Sequence, residues 1–216
     1  MVATAIETVA GGSTYECYYD GKKLGKVQIA VPGLHNIRNS LAAVASGLAL
    51  GATLPAMLDG LAAFTGVERR FQRLGEVRGG TIVDDYAHHP TEIEATLEAA
   101  RAAFPRRRII AAFQPHLYSR TRDFHPDFAR ALAHADAVFL CDIYPAREQP
   151  IEGVTSALIA AKMREAGKAP VWEGPRTAAA RALADFAREG DVVLTIGAGD
   201  VTRTGPELRL LLGGDA

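Results

Sequence analysis

Thr81-Ile82-Val83-Asp84-Asp85-Tyr86-Ala87-His88-His89-Pro90 decides how this chain is read. A short apolar strand runs directly into two carboxylates, a phenol and two imidazoles. Pro90 then opens a helical pattern, at the first-turn position that tolerates its missing N–H. From Thr81 onward the pattern alternates between the two element types. Strands are predicted over 81–85, 108–113, 137–143 and 191–196, with a weak one near 170–172, and helices over 90–104, 122–134, 154–166, 176–189 and 204–212. The strands Arg108-Ile109-Ile110-Ala111-Ala112-Phe113 and Ala137-Val138-Phe139-Leu140 are continuously apolar, as strands covered on both faces must be. The fold class that follows is α/β, a Rossmann-like doubly wound, mostly parallel sheet.

In such a sheet the carboxyl ends of the strands share one edge, where ligands bind. The polar motifs all fall there. Asp85-Tyr86-Ala87-His88-His89 follows the first strand and Gln114-Pro115-His116-Leu117-Tyr118-Ser119-Arg120 the second. Asp142 to Glu148 follows the third, and Gly197-Ala198-Gly199-Asp200 the last. Asp84 and Asp85 are strand neighbours and point to opposite faces. Asp85, nearer the edge, is expected to be the functional one and Asp84 to cap or brace the turn. His88 and His89 also fit a plain helix-start pair. Arg120 and Arg122 sit where a helix N-terminus disfavours cations, so an anionic ligand explains them better than solvation does. Gly197-Ala198-Gly199 lacks the rest of a dinucleotide fingerprint and is read as permitting close backbone approach.

Upstream, 2–31 alternates in a strand-like way. Thr14 to Tyr19 and Leu24 to Val31 flank Asp20-Gly21, a hairpin signal. Pro32-Gly33 ends the last strand, and two helices rich in small residues are expected over 40–51 and 54–64. Gly66-Val67-Glu68-Arg69-Arg70-Phe71 reads as a connector, and the domain boundary is placed near 75–80, with Gly75, Gly79 and Gly80 as a hinge.

The 216 residues carry 24 Lys+Arg against 25 Asp+Glu, which gives no signal for a polyanionic partner and argues against nucleic acid. Cys17 and Cys141 are the only cysteines and lack metal-type spacing, as expected of reduced thiols in a cytoplasmic protein. Neither a membrane span nor a signal peptide is legible.

Read in order, Gly33-Leu34-His35-Asn36-Ile37-Arg38-Asn39, Gly66 to Phe71, Asp84 to Pro90, Phe113-Gln114-Pro115-His116 and Tyr144-Pro145-Ala146-Arg147-Glu148 closely resemble the Mur ligases of peptidoglycan synthesis. The Gln-Pro-His and Ser-Arg-Thr form is similar to the alanine-adding branch; the murein-peptide recycling branch has a Glu-Pro-Arg type sequence there. The likeness covers nearly the whole chain. It implies that 1–77 is the C-terminal part of the central ATP-binding domain, a β-hairpin with helices, and that 78–216 is the Rossmann-like C-terminal domain. No Gly-x-x-x-x-Gly-Lys-Ser/Thr occurs, so the chain is expected to be truncated and inactive alone.

The resemblance also implies an ATP-dependent joining of L-alanine to UDP-N-acetylmuramate through an acyl phosphate, with Mg2+ held by residues outside this chain. Asn36 and Asn39 would face adenine, whose edge pairs a donor with an acceptor as an Asn amide does. Arg70 would contact the ATP phosphates and Asp85 the ribose. Tyr86, His88, His116 and Arg120 would line the alanine site, with Arg70, Asp85 and His88 as the catalytic set. Leu117 stands where some members carry Arg, which leaves Arg120 with more of the carboxylate recognition. Two other classes compete: a metal-dependent phosphoesterase built on Asp84, Asp85, His88, His89, His116 and Asp142, and a nucleotide-binding module without chemistry.

Overall fold

The computed structural model describes residues 1–9 and 12–213. They form two compact units, one of Met1–Val67 with Glu98–Pro105, the other of Glu68–Leu97 with Arg106–Ala216.

The first unit holds a three-stranded antiparallel sheet, β1 (Val2–Val9), β2 (Gly12–Tyr19) and β3 (Lys22–Ile29). Asp20 and Gly21 both have positive φ, 47° and 73°, the backbone that matches a two-residue hairpin to the strand twist. Period-2 alternation turns Tyr15 and Cys17 of β2 and Val27 and Ile29 of β3 into one core with Ile37. Ile37 belongs to α1 (Leu34–Ala49), which starts earlier than its Ala-rich stretch suggested and is followed by α2 (Leu54–Ala63). The buried Tyr15 hydroxyl and Ser40 Oγ are 2.7 Å apart, and Ser40 donates to Ile37 O, so a polar pair inside the core has its partners.

The second unit is built on a six-stranded sheet. Its strands are β4 (Gln72–Val77), β5 (Gly80–Asp85), β6 (Ile109–Phe113), β7 (Ala137–Cys141), β8 (Trp172–Gly174) and β9 (Val192–Ile196). Their order across the sheet is β4-β5-β9-β6-β7-β8. All neighbours are parallel except β4, which pairs antiparallel with β5. The antiparallel edge strand was not expected, and it corrects two readings. The compact units divide at Val67/Glu68, ahead of the expected 77/78, because β4 belongs to this sheet. Gly75, Gly79 and Gly80 are not a hinge. Gly75 lies at a register shift in β4, Gly79 (φ 67°) makes the hairpin turn, and a Cβ on Gly80 would come 2.8 Å from Asp191 O.

The connecting helices are α3 (Pro90–Ala103), α4 (Tyr118–Leu132), α5 (Ala157–Glu165), α6 (Arg176–Phe186) and α7 (Thr204–Leu211). Right-handed crossovers along this strand order place α3, α4 and α5 on one face and α6 on the other, and α7, which follows the last strand, packs beside α6. The packing agrees. Ile110 and Ala112 of β6 join Ala180 and Leu183 of α6 and Leu208 of α7 in one core, while Phe113 points the other way, 5.3 Å from Phe128 of α4. Pro126 sits inside α4 without breaking it; His125 Nδ1 lies 2.9 Å from Arg122 O, the carbonyl that a residue-126 N–H would have satisfied. Since β5 and β6 feed one face and β9 the other, the switch point lies at the carboxyl end of β9.

Candidate functional site

Around that switch point the second unit assembles a polar rim from three strand ends. Tyr86 and His88 leave β5, His116 leaves β6, and Tyr144 leaves β7. Their rings form a chain: Tyr86 to His88 at 5.3 Å, His88 to His116 at 6.0 Å, and His116 stacked on Tyr144 at 5.8 Å. A parallel bridge between His116 and Tyr144 extends the β6–β7 ladder beyond the strands, fixing that stack through the backbone.

His88 is held in one orientation. Its Nδ1 lies 3.0 Å from Tyr86 O, which can only accept, so the neutral ring carries its proton on Nδ1 and its lone pair on Nε2. Glu92, one turn into α3, receives the His88 and His89 amides on Oε2 at 2.9 and 3.2 Å and lies 3.3 Å from His88 Nδ1. Burial pushes the Glu92 carboxyl up, but those amides, the His88 ring and the Arg70 charge outweigh it and hold it below the usual carboxylate range. The sequence reading missed Glu92, although a Glu three residues after a helix start is a capping signal.

His116 and Arg120 carry the least satisfied groups of the rim. His116 Nδ1 and one Arg120 Nη are buried and have no hydrogen-bond partner in the structure. Burial lowers the His116 pKa, and the charges of Arg120 and His88 lower it further against the opposing pull of Glu148. Arg120 lies in the first turn of α4, whose N-cap Leu117 has φ 74°, a left-handed backbone uncommon outside glycine. Leu117 N donates to Tyr144 O, and Glu148 accepts from both Ser119 N and Ser119 Oγ, so the turn is tied to the β7 loop. Arg122 is corrected: helix α4 begins four residues before it, and it pairs at 2.7 Å with Asp123 in solvent.

The aspartates point to opposite faces, as strand geometry requires, and both are buried. Asp85, 3 % exposed, accepts from Phe71 N at 2.8 Å and Ala87 N at 2.9 Å. Burial raises its pKa, partly offset by those amides, Arg70 and Thr96. Asp84, fully buried, accepts from Thr195 Oγ1 at 2.5 Å, Thr202 Oγ1 at 2.8 Å and Arg69 Nε at 3.3 Å. The two neighbouring arginines differ just as sharply. Arg69 is engaged inward, while Arg70 is exposed with its guanidinium 5.6 Å from the Tyr86 centroid. The expected close approach at Gly197 and Gly199 is present: a Cβ on Gly197 would meet Gln114 O at 2.7 Å, and one on Gly199 would overlap Gln114 Oε1 and Tyr144. Gln114 meanwhile accepts from Val201 N and donates to Asp200, holding the β9 loop against β6.

The phosphoesterase set does not gather. Asp84 and Asp85 face apart, His89 packs on Phe124 at 5.1 Å, and Asp142 is exposed beyond β7. Among the described residues no three His, Cys, Asp or Glu side chains are grouped to hold a metal ion. Asn36 and Asn39 belong to α1 in the first unit; Asn36 donates to Pro32 O at 2.8 Å and Asn39 is exposed. Among the described residues no helix is long and apolar enough to cross a membrane.

A doubly wound α/β domain with an imidazole and guanidinium rim at its switch point is what the geometry defines. Residues 69–199 match the family described as Mur ligase, glutamate ligase domain. The chain belongs to the Mur ligase family. It is 50% identical over 196 residues to the UDP-N-acetylmuramate–L-alanine ligase of Salinibacter ruber, and 51% identical over 182 residues to that of Saccharopolyspora erythraea. Those matches span 90% and 84% of this chain but 41% and 37% of the relatives, so the chain spans less than half of their length. Among solved structures, the UDP-N-acetylmuramate–alanine ligase of Thermotoga maritima superposes with a TM-score of 0.82 at 27% identity, over 95% of this chain and 44% of that one. The Thermotoga maritima MurF ligase in complex with ADP shares the fold, with a TM-score of 0.72 at 20% identity, over 98% and 46%.

Proposed function

We propose that this chain supplies the amino-acid side of the active site in an ATP-dependent ligase that joins L-alanine to UDP-N-acetylmuramate in peptidoglycan precursor synthesis. The observation that carries the reading is the pair of buried, unpartnered nitrogens on His116 and Arg120, set on a rim whose relatives are named for adding alanine. A carboxylate is the natural complement of a guanidinium left without an anion.

In this reading a carboxylate oxygen of UDP-N-acetylmuramate attacks the γ-phosphorus of ATP and ADP leaves. The alanine nitrogen then attacks the acyl carbon, the C–O bond to phosphate breaks, and the nitrogen gives up its proton. Arg120 holds the alanine carboxylate with His116 beside it, and Tyr86 walls the pocket. His88 presents Nε2 to take the proton, its Nδ1 fixed by Tyr86 O. Arg70, free to reach outward, meets the phosphates; Asp85 meets the ribose through the lone pairs its two amide bonds leave. Asn36 and Asn39 meet adenine. Magnesium accompanies ATP; among the described residues no three His, Cys, Asp or Glu side chains are grouped to hold it.

The test joins this chain to the part of the Salinibacter ruber ligase that it does not match. The chimera should release phosphate only with ATP, UDP-N-acetylmuramate and L-alanine together. Loss of a charged hydrogen bond, about 1.5–3 kcal/mol, predicts that Arg120→Ala raises KM for L-alanine roughly 10–100-fold with KM for ATP unchanged. A parental KM for L-alanine in that variant would refute the assignment.

A further inference from the structure

We infer that Arg69 is a positioning residue: it locks the Arg69–Phe71 turn onto the β9 loop, so that Arg70 is presented at the sheet rim over Tyr86. The functional half of this inference rests on the proposed reading of Arg70 as the phosphate contact.

The turn is unusual in its backbone. Arg69 and Phe71 have φ of 59° and 50°, so two non-glycine residues flank Arg70 in the left-handed region. Such conformations persist only where surrounding contacts over-determine them. Here the contacts are visible. Arg69 directs Nε to Asp84 Oδ2 at 3.3 Å, and one Nη donates to Gly197 O at 2.5 Å and to Gly199 O at 3.2 Å. Its own carbonyl accepts from Tyr86 N at 2.7 Å, and its amide donates to Gln72 Oε1 at 2.9 Å. On the other side of Arg70, the Phe71 amide is held by Asp85 and its ring is buried.

The guanidinium fork therefore ties three segments together: the turn, the end of β5 through Asp84, and the carbonyls of the β9 loop. It also lies 4.7 Å from the Tyr86 centroid, on the ring that Arg70 covers at 5.6 Å. With residues 69 and 71 fixed on either side, the backbone of Arg70 is held so that its side chain leaves the turn beside Tyr86. A lysine at position 69 keeps a charge for Asp84, yet a single ammonium cannot span the carboxylate and both carbonyls.

Two measurements test this. Arg69→Ala leaves the Asp84 carboxylate buried without its cation and risks misfolding, so Arg69→Lys carries the test. In the chain itself, amide hydrogen exchange should show Phe71 and Tyr86 losing protection by about tenfold or more, with Val193 and Leu194 in the middle of β9 within about twofold of parent. Parental protection at Phe71 and Tyr86 overturns the inference. In the chimeric ligase, Arg69→Lys should raise KM for ATP by about tenfold, several-fold more than it raises KM for L-alanine, whose pocket feels the change only through Tyr86. On an Arg70→Ala background it should add less than about twofold, because the group it positions is gone. A full additive loss, or an equal loss for ATP and L-alanine, overturns the positioning role. An Arg70→Ala variant with parental KM for ATP sinks the phosphate reading instead, and the exchange result then decides separately whether Arg69 holds the turn.

Discussion

Removing the Asp84 carboxylate should destabilise the sheet unit in a graded way that follows from its three partners. Asp84 is fully buried and accepts from Thr195, Thr202 and Arg69. In Asp84→Asn the amide nitrogen can turn toward Thr195, whose hydroxyl can accept it while donating to Val83 O, 3.4 Å away in the parent. The Asn oxygen then keeps Thr202 and Arg69, so the loss is mainly the charge assistance to Arg69, about 1–2 kcal/mol. Asp84→Ala leaves the guanidinium and both hydroxyls without their acceptor, with a small void besides, and should cost about 3–5 kcal/mol. At roughly 2–4 °C per kcal/mol, that is a fall in Tm of about 6–20 °C. Trp172 makes the assay specific: it is the only tryptophan, it lies in β8 of this sheet, and it stacks on Phe139 at 5.9 Å. Its fluorescence during urea unfolding therefore reports the sheet unit. An Ala variant within 1 kcal/mol of parent, or an Asn variant less stable than Ala, would refute the reasoning.

Gly199→Ala should lower the unfolding free energy read from Trp172 in urea by about 1–3 kcal/mol, since the new methyl group must displace Gln114 and Tyr144; an unchanged urea midpoint and slope would contradict the close approach. His116 should titrate below the ordinary imidazole value of 6.5 when followed by NMR, and Arg120→Ala should move it upward. Because the folded value is depressed, stability is present above the unfolded pKa and is lost as pH falls from about 6.5 through the lowered folded value; His116→Asn should flatten that loss. A His116 pKa at or above 6.5 in the folded chain would sink this prediction.

Strands β6 and β7 were legible because a strand covered on both faces reads as a continuous apolar run, as Ile109 to Phe113 and Ala137 to Cys141 do, and β5 and β9 because short β-branched runs there sit between turn signals. The convergence of Tyr86, His88, His116 and Arg120 on one rim was legible for a related reason: parallel topology puts every carboxyl end on the same edge. Strand β4 was not legible. Gln72-Arg73-Leu74-Gly75-Glu76-Val77 is an edge strand with a bulge at Gly75, so it needs neither an apolar run nor clean alternation. The true start of α4 escaped as well, because its N-terminus is capped from a distance by Glu148 rather than by a neighbouring side chain.

The sequence by itself determined where chain directions change and which residue types reach the sheet edge, since both follow from local periodicity and backbone chemistry. Only the tertiary structure decided what each polar group does there. Asp84 and Asp85, or Arg69 and Arg70, are chemically identical neighbours; a strand's alternation and a left-handed turn send them into different surroundings. Which partners each of them meets depends on segments more than a hundred residues away, Thr195, Gly197 and Gly199 among them, and of the four only Arg70 is left exposed. No local pattern encodes such a pairing.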